Sequence, residues 1–467
     1  MRSSICVTRR LILFAALASI LSAGIYAQAR HTSFTEVSAV LSSLADILPP
    51  ELKTAEPSQT ERAWTAWAER QDRAIRSRLQ RGDEETIVNW LLFGTTFTKL
   101  PRVPLDTSGA ATMDEAQRAK LITSRAGDLV AALTAPGQDE RRLFARQLFA
   151  SQGYTTASAP HRARLLAHLN ELVQSVIAER AELTREIQAI RQVGDTSDQF
   201  AARSKLFRDR GLSLDTSFRP SFALEQALVQ LRQRGLLKPG AIRDVAVIGP
   251  GLDFTDKTSG YDFYPQQTLQ PFALIDSLVR VGLIANPATV RLTTLDISPR
   301  VNDHLRRSRQ RAAAGQPYQI RLPLDRDVKW KPPVVEYWRV AGDRIGTAPP
   351  PTRATVAGAN VDVRTVSVRP AITMRAEPLD LNIVVQRSDT HRFDLVVATN
   401  VFVYYDVLEQ VLALSNVRSM LKPGGILLSN NALLELPSSG MRSAGYVTVE
   451  YSDVRDDGDH IVWYRAE

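Results

Sequence analysis

Cysteine is almost missing from this chain: of 467 residues only Cys6 carries a thiol, and it lies in an N-terminal stretch that reads as removable. The remainder has none, which excludes disulfides, thiolate metal sites and cysteine nucleophiles. Histidine is sparse as well. His31, His161, His168, His304, His391 and His460 are scattered, with no His-x-x-x-His pair and no Ser/His/Asp arrangement, so neither a metal site nor a hydrolytic triad is read. Runs of Lys or Arg interleaved with aromatics are also lacking. The formal charge is +8, but Arg2, Arg9 and Arg10 fall in the first 29 residues, and their loss leaves 55 basic against 50 acidic side chains. That field is too weak to argue for nucleic acid.

Residues 1–29 have the form of an export signal. A basic stretch ends at Thr8-Arg9-Arg10, an apolar run follows from Leu11 to Tyr26, and Ala27-Gln28-Ala29 makes a small-x-small cleavage site. Thr8 to Leu13 also approximates the twin-arginine pattern, whose pathway carries folded proteins. The expectation is an exported, periplasmic or extracellular protein; an uncleaved membrane anchor and a mis-assigned start are the alternatives. With 44% hydrophobic and 23% charged residues the rest is ordinary globular material, too long for one compact domain.

Two domains are therefore expected, a helical one over 30–215 and an α/β one over 216–467. In the first, helices are read from Thr60, from Met113 to Leu133, from Arg141 to Phe149 and from Ala159 to Val193. The last carries Leu165, Leu169, Leu172, Val176, Leu183, Ile187 and Ile190 at helical spacing. This stripe reads as the seam of a bundle, with a homodimeric coiled coil as the alternative. Trp64, Trp67 and Trp90 read as core anchors.

The α/β pattern opens with a helix from Phe222 to Leu237 and the strand Asp244-Val-Ala-Val-Ile248. A tight Gly249-Pro-Gly251 loop, a helix from Leu269 to Val281 and the strand Arg291-Leu-Thr-Thr-Leu-Asp296 come next. Residues 316–360 hold seven prolines, Pro317, Pro323, Pro332, Pro333, Pro349, Pro350 and Pro351, so no single regular element fits there. The segment reads as a solvent-exposed insertion or a lid, with Tyr337 and Trp338 in a small hairpin or flap. Val361 to Val368 is expected to resume the sheet. Phe393-Asp-Leu-Val-Val-Ala-Thr-Asn400 is a buried strand whose polar residues come only at its carboxyl end, and Leu421-Lys-Pro-Gly-Gly425 is a helix stop before another apolar strand. Alternating residues around Asp456-Asp-Gly-Asp459 predict a terminal antiparallel hairpin.

This arrangement resembles the class I S-adenosylmethionine-dependent methyltransferases, with Asn400 to Asp406 similar to the equivalent segment of the chemoreceptor glutamate methyltransferases. The resemblance covers about residues 222–467. It implies a Rossmann-like methyltransferase sheet ending in an antiparallel hairpin, and S-adenosyl-L-methionine as cofactor. It also implies site residues at the carboxyl ends of the strands. Gly249 and Gly251 would approach the cofactor by backbone. The family's first motif has an acidic residue where this chain has Val247 and a third glycine where it has Asp253; Asp253 or Asp262 would supply the missing carboxylate. Asp296 would accept both ribose hydroxyls, Glu377 or Asp380 would lie near the adenine amino group, and Asn400 would face the methionine end. Tyr404 and Tyr405 would border the substrate.

The Asn/Asp-Pro-Pro-Tyr signature of amino methyltransferases is missing, which leans the acceptor, a small molecule or a protein, toward oxygen or a carboxylate. The reading from another class is an exported, non-catalytic binding or scaffold protein that keeps the sheet after losing the cofactor.

Overall fold

The structure is a computed structural model that describes residues 29–53, 57–100, 114–192, 212, 217–253, 262, 264–354, 360–454 and 457–466. Of the segment read as an export signal, only Ala29 falls among them. Strand β1 (Ala29–His31) is followed by helices α1 (Phe34–Ser43), α2 (Pro57–Phe93), α3 (Glu115–Thr134), α4 (Glu140–Ser151), α5 (Ala159–Gln192) and α6 (Phe218–Gln233). Then come β2 (Asp244–Ile248), α7 (Gln270–Arg280), β3 (Arg291–Asp296), α8 (Pro299–Ala313), β4 (Tyr318–Asp325), α9 (Pro332–Val340), β5 (Gly346–Thr347), β6 (Thr352–Arg353) and β7 (Val361–Val368). The remainder is β8 (Ala376–Asp380), β9 (Gln386–Ser388), β10 (Phe393–Ala398), α10 (Val407–Met420), β11 (Leu421–Ser429), β12 (Met441–Glu450) and β13 (Gly458–Ala466).

Seven strands form the main sheet in the order β12-β13-β11-β10-β2-β3-β8. From β11 to β8 neighbours run parallel, and β13 lies antiparallel between β11 and β12. An inserted antiparallel strand contributed by the C-terminal hairpin is the methyltransferase form of the Rossmann-like sheet. Because successive side chains alternate between faces, each strand feeds two cores. Val245, Val247, Leu395, Val397, Ile426 and Leu428 pack on one side with α6, α7 and α8. Ala246, Ile248, Val396, Ala398 and Leu427 pack on the other with α10, α1 and the first half of α2. A further core joins the second half of α2 to α3, α4 and α5, where Leu165, Leu169 and Val173 are buried. The side chains of Leu183, Ile187 and Ile190 lie outside the described residues. Trp64 and Trp67 stack at 5.2 Å in the second core, and Trp90 is buried in the third.

Two expectations are corrected. Val361–Val368 does not resume the main sheet: its eight residues pair antiparallel with β4, and with β5 and β6 they form a separate small sheet. The alternating pattern shows a strand but cannot say which neighbour it takes. The outer strand of the main sheet is instead β8, in parallel register with β3 so that Asp380 lies opposite Asp296. Tyr337 and Trp338 belong to no hairpin or flap; they are buried on α9, whose Pro332 and Pro333 occupy the first turn, where a missing N–H costs nothing. Trp338 Nε1 donates to Leu322 O at 3.0 Å, tying α9 to β4. Pro323 and Pro378 are accommodated because β4 and β8 are edge strands.

Candidate functional site

The strand order reverses between β2 and β10, and outside the carboxyl ends of the strands at such a switch point a crevice is built into the topology. A cavity of about 90 Å³ lies there. Gly249 and Gly251 line it from the loop after β2, Asp296 and Ile297 from the end of β3, and Thr399, Asn400 and Val401 from the end of β10. Tyr404 and Tyr405 border it from the same connection, and Leu381 and Ile383 from the loop after β8.

Both glycines adopt left-handed backbone, with φ of 62° and 76°. A Cβ on Gly249 would stand 2.7 Å from Val401 Cγ2, so only glycine lets the two loops touch here. Asn400 has φ 57°, and among the described residues it is the only non-glycine with positive φ. The strained turn is held by a reciprocal amide pair: Asn400 N donates to Asn430 Oδ1 at 2.7 Å, and Asn430 Nδ2 donates to Asn400 Oδ1 at 2.6 Å. Asn430 Nδ2 also reaches Asp459 Oδ1 at 3.3 Å, so β10, β11 and β13 are pinned together at the cavity mouth.

Asp296 is only 6% exposed. Its Oδ1 accepts from the Ser298 amide at 2.7 Å, while Oδ2 has no hydrogen bond among the described residues. Burial pushes the carboxyl up to about 7; the Ser298 amide works against this, the charge of Asp380 adds to it, and Arg76 opposes it. Tyr405 is buried, and desolvation raises its phenol well above the usual range. The main chain between Phe402 and Tyr405 is fixed by Gln410, whose Nε2 donates to Phe402 O at 3.0 Å and Tyr405 O at 2.8 Å. Asp406 is committed to capping α10: its Oδ1 accepts from Glu409 N at 2.9 Å, and its own N donates to Glu409 Oε2 at 2.8 Å.

Comparison of the sequence finds no matching family model and no matching curated protein. Among solved structures the chain is similar to the N-methyltransferase NodS from Bradyrhizobium japonicum in complex with S-adenosyl-L-homocysteine, at 15% identity, covering 52% of this chain and 85% of that one, with a TM-score of 0.26. It is similar to magnesium protoporphyrin IX methyltransferase from Synechocystis with bound SAM at 11% identity, 53% and 80% coverage and a TM-score of 0.26. The glycopeptide N-methyltransferase MtfA complexed with S-adenosyl-L-homocysteine gives 11% identity, 56% and 96% coverage and a TM-score of 0.29. Likeness at these scores decides nothing about the site, which stands on its own geometry.

Gly249, Gly251, Asp296, Asn400, Tyr404 and Tyr405 come together around the cavity. Asp253 and Glu377 do not. Asp253 is buried, with Tyr264 Oη donating to Oδ1 at 3.1 Å and Gln267 Nε2 to Oδ2 at 3.2 Å. Asp262 accepts from Thr96 N at 2.8 Å. Glu377 sits opposite Thr293 toward the amino end of β8 and lines a groove on the far rim of the sheet. Asp380 is at the carboxyl end, where Arg76 Nη2 donates to it at 2.7 Å.

The sequence reading missed the contribution of α2. Leu79 lines the cavity, and so does Leu212, whose N donates to Arg78 O at 3.1 Å. Arg76 Nη1 donates to Ile297 O at 3.0 Å, and Arg78 pairs with buried Glu409 at 2.6 Å. Gln270, at the start of α7, donates to Thr399 Oγ1 inside the cavity. A carboxylate with a spare oxygen, an apolar slot of Ile297, Leu381 and Ile383, and a turn with glycine on both sides of Pro250 suit the ribose, base and chain of an adenosyl group. The volume, against the ~300 Å³ of small ligand pockets, is short of one. Two leucines contributed from outside the main sheet line the remaining space.

Proposed function

We propose that the chain is an S-adenosylmethionine-dependent methyltransferase acting on an oxygen or carboxylate acceptor. The observation that carries this reading is Asp296 at the end of β3 beside the Gly249–Gly251 turn, at the switch point of a sheet with an inserted antiparallel strand. When bound, the cofactor supplies a methyl group on a sulfonium. Asp296 would accept hydrogen bonds from the ribose hydroxyls, the glycine turn would let main chain approach the amino-acid end, and Ile297, Leu381 and Ile383 would cover the base. Asn400 and Tyr404 would border the transferring group, and positioning would carry the catalysis. Among the described residues no His or Lys lines the cavity. A carboxylate acceptor, already ionised at neutral pH, needs no base, and Asn400-Val-Phe-Val403 in place of Asn/Asp-Pro-Pro-Tyr fits oxygen better than nitrogen. The likeness of Asn400–Asp406 to the chemoreceptor glutamate methyltransferases belongs to this proposal.

Among the described residues no helix is long and apolar enough to cross a membrane. Export through residues 1–29 remains part of the proposal, and it sets a difficulty, because the cofactor is made in the cytoplasm. The second reading, a scaffold that no longer takes the cofactor, is favoured by the leucines in the cavity and by Val247 in the acidic position of the first motif. Calorimetric titration of S-adenosylmethionine and S-adenosylhomocysteine into the full chain separates the two. Micromolar binding that is lost in Asp296→Ala supports the enzyme; no heat at millimolar ligand sinks it.

A further inference from the structure

The rim of the sheet opposite the cavity carries a groove of about 700 Å³, walled by residues at the amino ends of β2, β3, β8, β10 and β11. Among the described residues five cationic side chains line it against two carboxylates, Asp244 and Glu377. The carboxylate partners are unevenly shared. Asp244 takes both Arg291, at 2.7 Å, and Lys422, at 2.7 Å, and Lys422 also reaches Asp394 at 2.8 Å. The other three cations, Arg309, Arg375 and Arg392, are in no ion pair among the described residues. Arg309 donates to Ala376 O at 3.3 Å, Arg375 Nε to Ala371 O at 3.2 Å, and Arg392 Nη1 to His391 O at 2.7 Å. Main-chain carbonyls orient these guanidinium groups without neutralising them. A concave wall concentrates the field of such charges, and the planar fork of a guanidinium matches a phosphate in two-point contact.

We propose that this groove binds a compact polyanion bearing two or more phosphate groups, with Arg375 and Arg392 as its principal contacts and Arg309 as a fixed charge behind them. The groove is far larger than the cavity at the carboxyl ends and shares no lining residue with it, so the proposal does not depend on the methyltransferase reading. Inorganic triphosphate is the probe. Titrated into the full chain by calorimetry at low salt, it binds at one site, and the double variant Arg375→Gln/Arg392→Gln weakens binding at least tenfold with an unchanged melting temperature. Asp296→Asn leaves triphosphate affinity as it is. No binding, or equal binding by the double variant, overturns the proposal. Should the double variant melt early, the single Arg392→Gln, at an exposed position, decides between the same two outcomes.

Discussion

A carboxyl buried as deeply as that of Asp296, ionising at about 7, keeps its proton over a range in which the unfolded chain, at about 4, has already lost it. Between those values the folded state binds more protons, so the stability of the free protein falls as pH rises through the window, and above 7 the whole loss is present. Asn in this place keeps an oxygen for the Ser298 amide and removes the ionisation. Asp296→Asn is expected to raise the melting temperature by about 2–5 °C at pH 8 and to leave it unchanged at pH 4, as thermal unfolding at the two values will tell. Hydroxyl donors reverse the preference, because they favour the ionised carboxylate. The affinity for S-adenosylhomocysteine is therefore expected to drop about 30-fold between pH 8 and pH 5.5 in the native protein, while calorimetry on the Asn variant gives a flat profile. The resemblance set Asp296, Gly249, Gly251 and Asn400 at or just after the carboxyl ends of strands, which is where a parallel sheet presents its residues, and all four line the cavity. Asp253 and Glu377 do not line the cavity for a related reason: spacing locates a residue along the chain, not the partners that draw it away.

Helix α2 spans both the core beneath the sheet and the core of the helical bundle, and on its way it passes the cavity. Nothing in the pattern around Leu79 distinguishes it from any other apolar residue of a long helix, and Leu212 is more than 130 residues further on, so their meeting at Asp296 could not be read in advance. If the two leucines limit ligand entry, shortening one should help binding. Leu79→Ala is expected to tighten S-adenosylhomocysteine binding several-fold at a cost of about 1–2 kcal/mol in stability, Leu79 being only half-buried. Titration and urea unfolding of the variant test the pair of effects; unchanged affinity would show that Leu79 does not limit entry. Strands β2, β3 and β10 were legible because runs of Val, Ile and Leu, with two threonines in β3, make up their interiors and both faces are covered. Strand β8 was not, since Ala-Glu-Pro-Leu-Asp has no strand signal of its own and owes its conformation to the register with β3. Strand β7 shows the converse, a clear alternation whose partner, β4, lay in the segment where the proline count had argued only against a single regular element.

The whole molecule is tied together by contacts between distant parts of the chain. Ala29–His31 pairs with Gln386–Ser388, Thr32 Oγ1 donates to Asn416 Oδ1 at 2.8 Å, and Trp64 Nε1 donates to Thr32 O at 2.7 Å. Strand β13 closes the sheet from within: Ile461 and Trp463 enter one core, Val462 and Tyr464 the other. Deleting residues 458–466 is therefore expected to remove cooperative unfolding altogether, with circular dichroism and limited proteolysis as the measurements; a sharp melt in the truncated chain would refute it. The position of β13 also bears on how the protein is made. A ribosome delivers this strand after the other six of its sheet, so until it emerges β11 keeps an open hydrogen-bonding edge and β12 has nothing to lie against. The sheet thus stays incomplete until the last of its seven strands has been made, and for that interval whatever shields or transports unfinished polypeptides has first access to it.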